Sequence, residues 1–228
     1  MRNFFCELEA ILFDLDQTLL DREAGARRWM EDLLDRAGAT DSAERARLRL
    51  ELLSADKGGY GDREAFSRRL AETFPQMGLT PEEFLEDFRS GLPQLIPMDA
   101  RVPAFLRRQR GLRALGLITN GSSWTQRSKM RRAGLDAGFF DVILVSGEEG
   151  IAKPDPEIFR RALERLGGVR PEKALFVGDH PRNDIEGASS AGLKTCWVRL
   201  EGQPEPPQAD WAVDGVCELE ELLPPWSI

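Results

Sequence analysis

Short apolar runs alternate along the chain with helix-like stretches. "AILFDLD" near 10–16, "LRALGLIT" near 112–119, "DVILVS" near 141–146, "KALFVGD" near 173–179 and "KTCWVRL" near 194–200 each precede such a stretch, so they read as buried parallel strands. The intervening "SSWTQRSKMRRAG", "PDPEIFRRALERLG" and "RNDIEGASSAG" are amphipathic. Pro154 and Pro156 suit the first turn of a helix, and Gly167 and Gly192 its stop. Strand alternating with helix predicts an α/β fold, a doubly wound and mostly parallel sheet, with its ligand site beyond the carboxyl ends of the strands.

The interval 21–99 breaks this rhythm. It reads as four helices in succession, "AGARRWMEDLLDRAG", "DSAERARLRLELLS", "DREAFSRRLAETF" and "PEEFLEDFRSGL". The expected organisation is therefore a core of residues 1–20 and 100–228 with an inserted helical cap of 21–99, placed to act as a lid at the carboxyl edge of the sheet. Within the insertion, "SADKGGYGD" at 54–62 joins two helices, and Gly58, Gly59 and Gly61 would let it bend. Lys57 or Tyr60 would then shape substrate choice; a plain surface turn is the alternative. Residues 202–210 form a proline-rich surface loop, "WAV" a last short strand and "CELEELL" a closing helical turn. No internal repeat is visible.

Composition narrows the class. At 228 residues, 41% hydrophobic and 31% charged, the chain suits one substantial globular domain, or one domain carrying a sizeable insertion. A net charge of -8 argues against nucleic acid as a partner. Two basic clusters, Arg107, Arg108 and Arg110, then Arg127, Lys129, Arg131 and Arg132, fall in helix-like segments and read mostly as solvated outer faces. Cys6, Cys196 and Cys217 are too few and scattered for a disulfide framework or a metal cluster, and Cys196 in "KTCWV" reads as a small buried hydrophobe. "MRNFFCELEA" lacks the apolar core of a signal peptide, and no run approaches the roughly 18 apolar residues that span a bilayer. A cytoplasmic protein with no membrane partner is expected; oligomeric state stays open.

Chemistry concentrates at the strand ends. Asp14 and Asp16 end the first strand, where desolvating an ionised carboxylate costs several kcal/mol or more unless a cation meets it. Thr119 and Asn120 end the second, Lys153 follows the third, and Asp179 ends the fourth with Asp184 five residues later. Each motif alone is an ordinary turn or cap. In order, each after a strand, they converge on one place. Three or four carboxylates would hold a hard divalent cation, Mg²⁺ where phosphate completes its shell. Lys153 and the hydroxyl would bind a tetrahedral anion beside it, and an aspartate can attack phosphorus to form an aspartyl-phosphate.

"DLDQT", "TNG", Lys153 in "AKPDP" and "GDHPRND" resemble the four signatures of the haloacid dehalogenase-like (HAD) hydrolases, and the helical insertion resembles that family's type-1 cap. The resemblance covers essentially the whole chain and implies a Rossmann-like core and a phosphatase acting on a small phosphorylated metabolite. Asp14 would be the nucleophile and Asp16 the general acid and then base. Thr119 and the neighbouring backbone amides would hold the phosphoryl oxygens, with Asn120 assisting. Lys153 would neutralise the transferring group. Mg²⁺ would be bound by Asp14, the Asp16 carbonyl and Asp179, with Asp184 placing metal-bound water. Where the first signature commonly carries glycine this chain has Gln17, as in a branch that includes N-acylneuraminate-9-phosphate phosphatases and pyrimidine 5′-nucleotidases; "TNGSSWTQRSKM" is similar to that branch too.

Three rivals remain. A 2-haloacid dehalogenase needs no acid for a leaving alcohol, which Asp16 opposes. A sugar-phosphate mutase commonly uses a cap histidine, and the only histidine is His180. A non-catalytic phosphate-binding module usually has lost a key residue, and none is missing. His180 itself, adjoining Asp179, reads as loop structure or as support behind the metal ligands.

Overall fold

The structure, a computed structural model, describes residues 2–135, 137–200 and 202–223. Contacts divide the chain into two units, one of Met1–Leu20 with Met98–Ile228 and one of Asp21–Pro97. The first holds a six-stranded sheet: β1 (Ala10–Phe13), β2 (Ala114–Thr119), β3 (Val142–Val145), β4 (Ala174–Gly178), β5 (Lys194–Val198) and β6 (Trp211–Val213). The order is β3-β2-β1-β4-β5-β6, and every pairing is parallel. Each apolar run of the sequence supplies one strand. A short helix, α1 (Arg2–Glu7), precedes β1 and has no counterpart in the sequence reading. The strand order reverses between β1 and β4, the crevice where such sheets bind ligands. Phe13 of β1 is level with Leu117 of β2 and Val177 of β4, so the residues just beyond them emerge side by side.

The second unit is helical: α2 (Arg22–Arg36), α3 (Ser42–Asp56), α4 (Arg63–Thr73) and α5 (Pro81–Leu95). Side chains of Asp21, Asp41, Asp62 and Thr80 cap the four N-termini, Thr80 with Glu83 in a reciprocal capping box, which satisfies amides the helices leave without partners. Trp29, Phe66, Phe84 and Phe88 are buried together, with Trp29 and Phe88 edge-to-face at 4.8 Å. Asp56 is also buried, clamped by Arg22 at 2.7 and 2.9 Å and by Arg63 at 2.8 Å. That clamp fixes the base of the 57–61 turn. Lys57, Gly58 and Gly59 bend the chain through positive φ. Gly61 serves close approach instead: a Cβ there would sit 2.1 Å from the Ala55 carbonyl oxygen. Tyr60 stands exposed on this turn.

Helices α6 (Arg101–Gln109), α7 (Ser123–Arg132), α8 (Ser146–Glu149) and α9 (Pro156–Arg165) complete the first unit's main framework. Leu12, Ile118, Leu144 and Phe176 share one core cluster with Ile158, Phe159, Ala162 and Leu163 of α9, and Phe159 meets Phe176 edge-to-face at 5.0 Å. Phe13 meets Phe105 of α6 at 6.1 Å. Burying each such side chain contributes about 1.5–3 kcal/mol. Asp155 caps α9 and Pro156 opens it. Pro154 lies before the cap and not in the first turn as expected, because the chain is still turning after Lys153: the Asp155 amide donates to the Ala152 carbonyl. No helix among the described residues is long and apolar enough to cross a membrane.

Candidate active site

Beyond β1 the Asp14 amide still donates to the Val177 carbonyl of β4 at 2.9 Å, which fixes Asp14 to the sheet. The chain then folds back: the Leu19 and Leu20 amides donate to the Leu15 carbonyl, and Gln17 N–H to Leu20 O at 2.7 Å. Leu15, Leu19 and Leu20 bury their side chains, anchoring the turn. Gln17 sits at φ 60, a left-handed conformation that glycine adopts freely and that costs other residues roughly 1–2 kcal/mol. The backbone thus accounts for the glycine common at this position of the first signature.

Asp14 is 3% exposed and Asp184 0%. Lys153, itself buried, bridges them, its Nζ 2.5 Å from Asp14 Oδ1 and 2.6 Å from Asp184 Oδ1. The lysine also lies over the Phe176 ring at 5.2 Å. Asp184 Oδ2 accepts from the His180 amide at 3.0 Å. Asp179 completes a buried group in which one ligand atom from each of Asp14, Asp179 and Asp184 lies within 4.8 Å of the others. Thr18 Oγ1 donates to Asp179 Oδ1 at 3.4 Å, and Trp197 Nε1 donates to the Asp179 carbonyl at 2.7 Å. Gly178 makes room for all this, since a Cβ there would meet the Asp184 carboxylate at 2.5 Å. His180 Nδ1 accepts from the Arg182 and Asn183 amides, so its ring caps the following helical turn.

The electrostatics are unbalanced. With all three carboxylates ionised, one ammonium leaves two negative charges over. Burial pushes the Asp14 carboxyl up to about 7, Lys153 opposing the rise and Asp184 and Asp16 adding to it. Burial, then Asp184 and Asp14, push Asp179 well above the usual carboxylate range. Burial draws the Lys153 ammonium down, but Asp14 and Asp184 outweigh it and its pKa ends raised. Among the described residues, Asp14 Oδ2 has no hydrogen-bond partner although it is buried, an orphan that costs about 1–3 kcal/mol or more when charged.

The other carboxylate of the first signature behaves differently. Asp16 is not among the clustered ligands. Its two oxygens accept from Lys129 Nζ at 2.9 and 2.7 Å, and Oδ2 also from Gln126 Nε2 at 3.1 Å. The same Gln126 nitrogen lies 2.5 Å from Thr119 Oγ1. Lys129 is 4% exposed, so this member of the second basic cluster does not solvate an outer face. The correction has a physical cause: α7 starts four residues after Thr119, and positions 126, 129 and 130 share the buried face of that helix. Glutamine and lysine three apart beside buried Met130 were the available signal.

Asn120, expected to assist in holding the phosphoryl oxygens, turns its side chain to the Lys153 backbone. Its Nδ2 donates to the Lys153 carbonyl at 2.8 Å, and its Oδ1 accepts from the Lys153 amide at 3.0 Å. Both ends of the amide are thus spent on holding the lysine in place. Of the neighbouring amides, that of Gly121 donates to Ser146 Oγ. Asp14, Lys153, Asp179 and Asp184 come together as one cluster; Asp16 and Thr119 meet through Gln126; Asn120 supports Lys153 from behind. Sequence reasoning assigned nothing to Gln126 and to the Thr18 hydroxyl.

A parallel α/β sheet carrying a carboxylate–lysine cluster at its switch point has the position and the oxygen donors that suit an anionic ligand and a hard cation. A family model described as "haloacid dehalogenase-like hydrolase" matches residues 8–192. The chain belongs to that family. It is 36% identical to the phosphoserine phosphatase of Thermus thermophilus, covering 89% of this chain and 93% of the relative. It is 31% identical to the pyrimidine 5′-nucleotidase YjjG of Escherichia coli, over 93% and 96%. The HAD hydrolase YfnB of Bacillus subtilis, solved bound to magnesium, superposes with a TM-score of 0.75 at 26% identity, over 95% of this chain and 98% of that one.

The buried aspartate cluster fits a metal site on its own terms. The donor set is oxygen only, the charge deficit with all three carboxylates ionised equals one divalent cation, and Asp14 Oδ2 lacks a partner among the described residues. A stability consequence follows. An unfolded aspartate has a pKa near 3.9, so with metal removed the folded chain binds a proton at Asp14 through about pH 4 to 7 that the unfolded chain does not. Stability is therefore present below that window and falls as pH rises through it; Asp179 acts in the same direction. Thermal melts in EDTA should lose roughly 3–6 °C between pH 5.5 and 8, and saturating Mg²⁺ should recover most of that loss at pH 8. A melting temperature that rises over this range in EDTA would contradict the charge deficit.

Proposed function

We propose that the chain is a Mg²⁺-dependent phosphatase of small phosphate monoesters, with Asp14 as nucleophile. One observation carries the reading: a buried Asp14 whose Oδ1 is held by Lys153 and whose Oδ2 lacks a partner among the described residues, inside a cluster of three buried carboxylates. Asp14, Asp179 and the Asp16 carbonyl would hold Mg²⁺, with Asp184 placing its water, and the ion when bound would supply charge neutralisation for phosphoryl oxygens. The names of the two curated relatives concern phosphate esters and support the choice of substrate class.

The chain's own groups account for both half-reactions. An Asp14 oxygen bonds to phosphorus as the ester P–O bond breaks, and the bond's electron pair leaves with the alcohol oxygen. Protonated Asp16 gives that oxygen its proton. Asp16, now a carboxylate, then takes a proton from water as the water oxygen bonds to phosphorus and the Asp14–phosphorus bond breaks. Lys153 offsets charge on the nucleophile and transferring group, and the Thr119 hydroxyl, accepting from Gln126, keeps its own proton for a phosphoryl oxygen. A carbon-centred dehalogenation would have no leaving alcohol and no use for Asp16 held in this way.

Insertion of the helical unit Asp21–Pro97 directly after the turn that carries Asp14 and Asp16 supports reading it as a cap that admits small esters, with Tyr60 and Lys57 as selecting residues. Three free thiols suit a reducing, cytoplasmic setting. The test is phosphate release from a panel of phosphoserine, sugar phosphates, nucleoside monophosphates and 4-nitrophenyl phosphate, with Mg²⁺ and with EDTA. Release is expected with Mg²⁺ on at least one member and to fall by roughly 10²-fold or more in EDTA; release unaffected by EDTA would contradict the reading.

A further inference from the structure

Asp16 is held from behind. Its side chain is 20% exposed, while the side chain of Lys129, which pairs with it, is 5% exposed, and Gln126 is 2% exposed. Three hydrogen bonds from one face of α7 reach its two oxygens, and together they restrain the plane of the carboxylate. The seat for Gln126 is built into the "TNG" turn. Gly121, at φ +143, packs against it so closely that a Cβ would lie 3.0 Å from Gln126 Cδ. The one Gln126 amide nitrogen touches both the Asp16 carboxylate and the Thr119 hydroxyl. An ordinary buried ion pair would need none of this: it would not require a glutamine shared with a second polar group, nor a glycine cleared to receive it.

We infer that Lys129 and Gln126 are the positioning residues of the acid–base step, holding the Asp16 carboxylate at the angle from which it serves the leaving oxygen and, through Gln126, in register with Thr119. The inference rests on the phosphatase reading above. Lys129 and Gln126 act through Asp16 and are not among the clustered carboxylates. Loss of Lys129 lets the Asp16 carboxyl group rotate about its side-chain bonds, and misplacement of that group as proton donor penalises a step in proportion to how much the leaving group needs the proton. An alkoxide needs it far more than a nitrophenolate.

The discriminating experiment measures kcat/KM, which reports events up to departure of the alcohol, for the full chain with Mg²⁺. Two substrates are used: the best alkyl monoester of the panel and 4-nitrophenyl phosphate. Wild type and Asp14→Asn come first. An inactive wild type, or an Asp14→Asn enzyme as active as wild type, overturns the phosphatase reading and this inference with it. Given a sound wild type, Lys129→Met should lower kcat/KM on the alkyl ester by about 10²-fold and on the aryl ester at least tenfold less, matching the leaving-group dependence of Asp16→Asn. Lys129→Arg should restore most of the loss, since it keeps the charge and the donors. Equal losses on the two esters, or no rescue by arginine, overturn the positioning role and leave the phosphatase reading standing. Should Lys129→Met not fold, Gln126→Leu carries the same test, with a loss of about tenfold on the alkyl ester and the same difference between esters.

Discussion

Asp14→Asn is expected to fold and to lose phosphate release by roughly 10⁴-fold or more. The substitution is nearly isosteric, so packing around Phe13 and Val177 is preserved, but a neutral amide is not a nucleophile toward phosphorus. Its effect on stability should run the other way. Removing one of three buried carboxylates that share a single ammonium relieves repulsion, and Lys153 keeps Asp184 as a partner at 2.6 Å. In EDTA at pH 8 the variant should therefore melt about 2–4 °C above wild type, and it should gain less than wild type from added Mg²⁺. Phosphate release and thermal melts on the same preparations check both halves. A folded variant that keeps wild-type turnover would move the nucleophile elsewhere.

Lys153→Met should be as damaging to activity and far more damaging to the fold. It leaves Asp14, Asp179 and Asp184 buried with no cation among them, and breaking a buried charge pair by removing one partner costs about 3–5 kcal/mol. For a chain of this size that corresponds to a melting temperature lower by about 10 °C. The deficit should shrink at pH 6, where Asp14 and Asp179 take up protons more readily, and in saturating Mg²⁺, while turnover stays absent in both. Melts at pH 6 and 8, with and without Mg²⁺, give the comparison. A loss of only a degree or two at pH 8 in EDTA would mean that the cluster is not held by this lysine.

The strands and helices were legible because burial and periodicity set them locally: "VILV" and "ALFVG" can hardly be placed except inside a sheet with both faces covered. The convergence of Asp14, Lys153 and Asp179 was legible for a related reason. In a parallel sheet every strand ends at the same edge, so polar residues just after apolar runs must meet there. What stayed hidden depends on side-chain direction. Lys129 looked like one more solvated base, because a charge count does not say which face of α7 turns inward. The Asn120 side-chain amide, adjacent to Thr119, points at the Lys153 backbone, a contact across 33 residues that no local pattern encodes. Pro154 carried a helix-start signal that the Asp155 cap, one residue later, overrides.

The most direct measurement is mass spectrometry of acid-quenched enzyme during turnover of 4-nitrophenyl phosphate with Mg²⁺. It would use Asp16→Asn to slow the attack of water while the good leaving group still departs. A phosphoryl group on the peptide that carries Asp14, absent from the Asp14→Asn protein and lost on treatment with hydroxylamine, is the predicted result. Turnover by wild type with no phosphoryl adduct on that peptide in either protein, or an adduct on another residue, would contradict nucleophilic attack by Asp14.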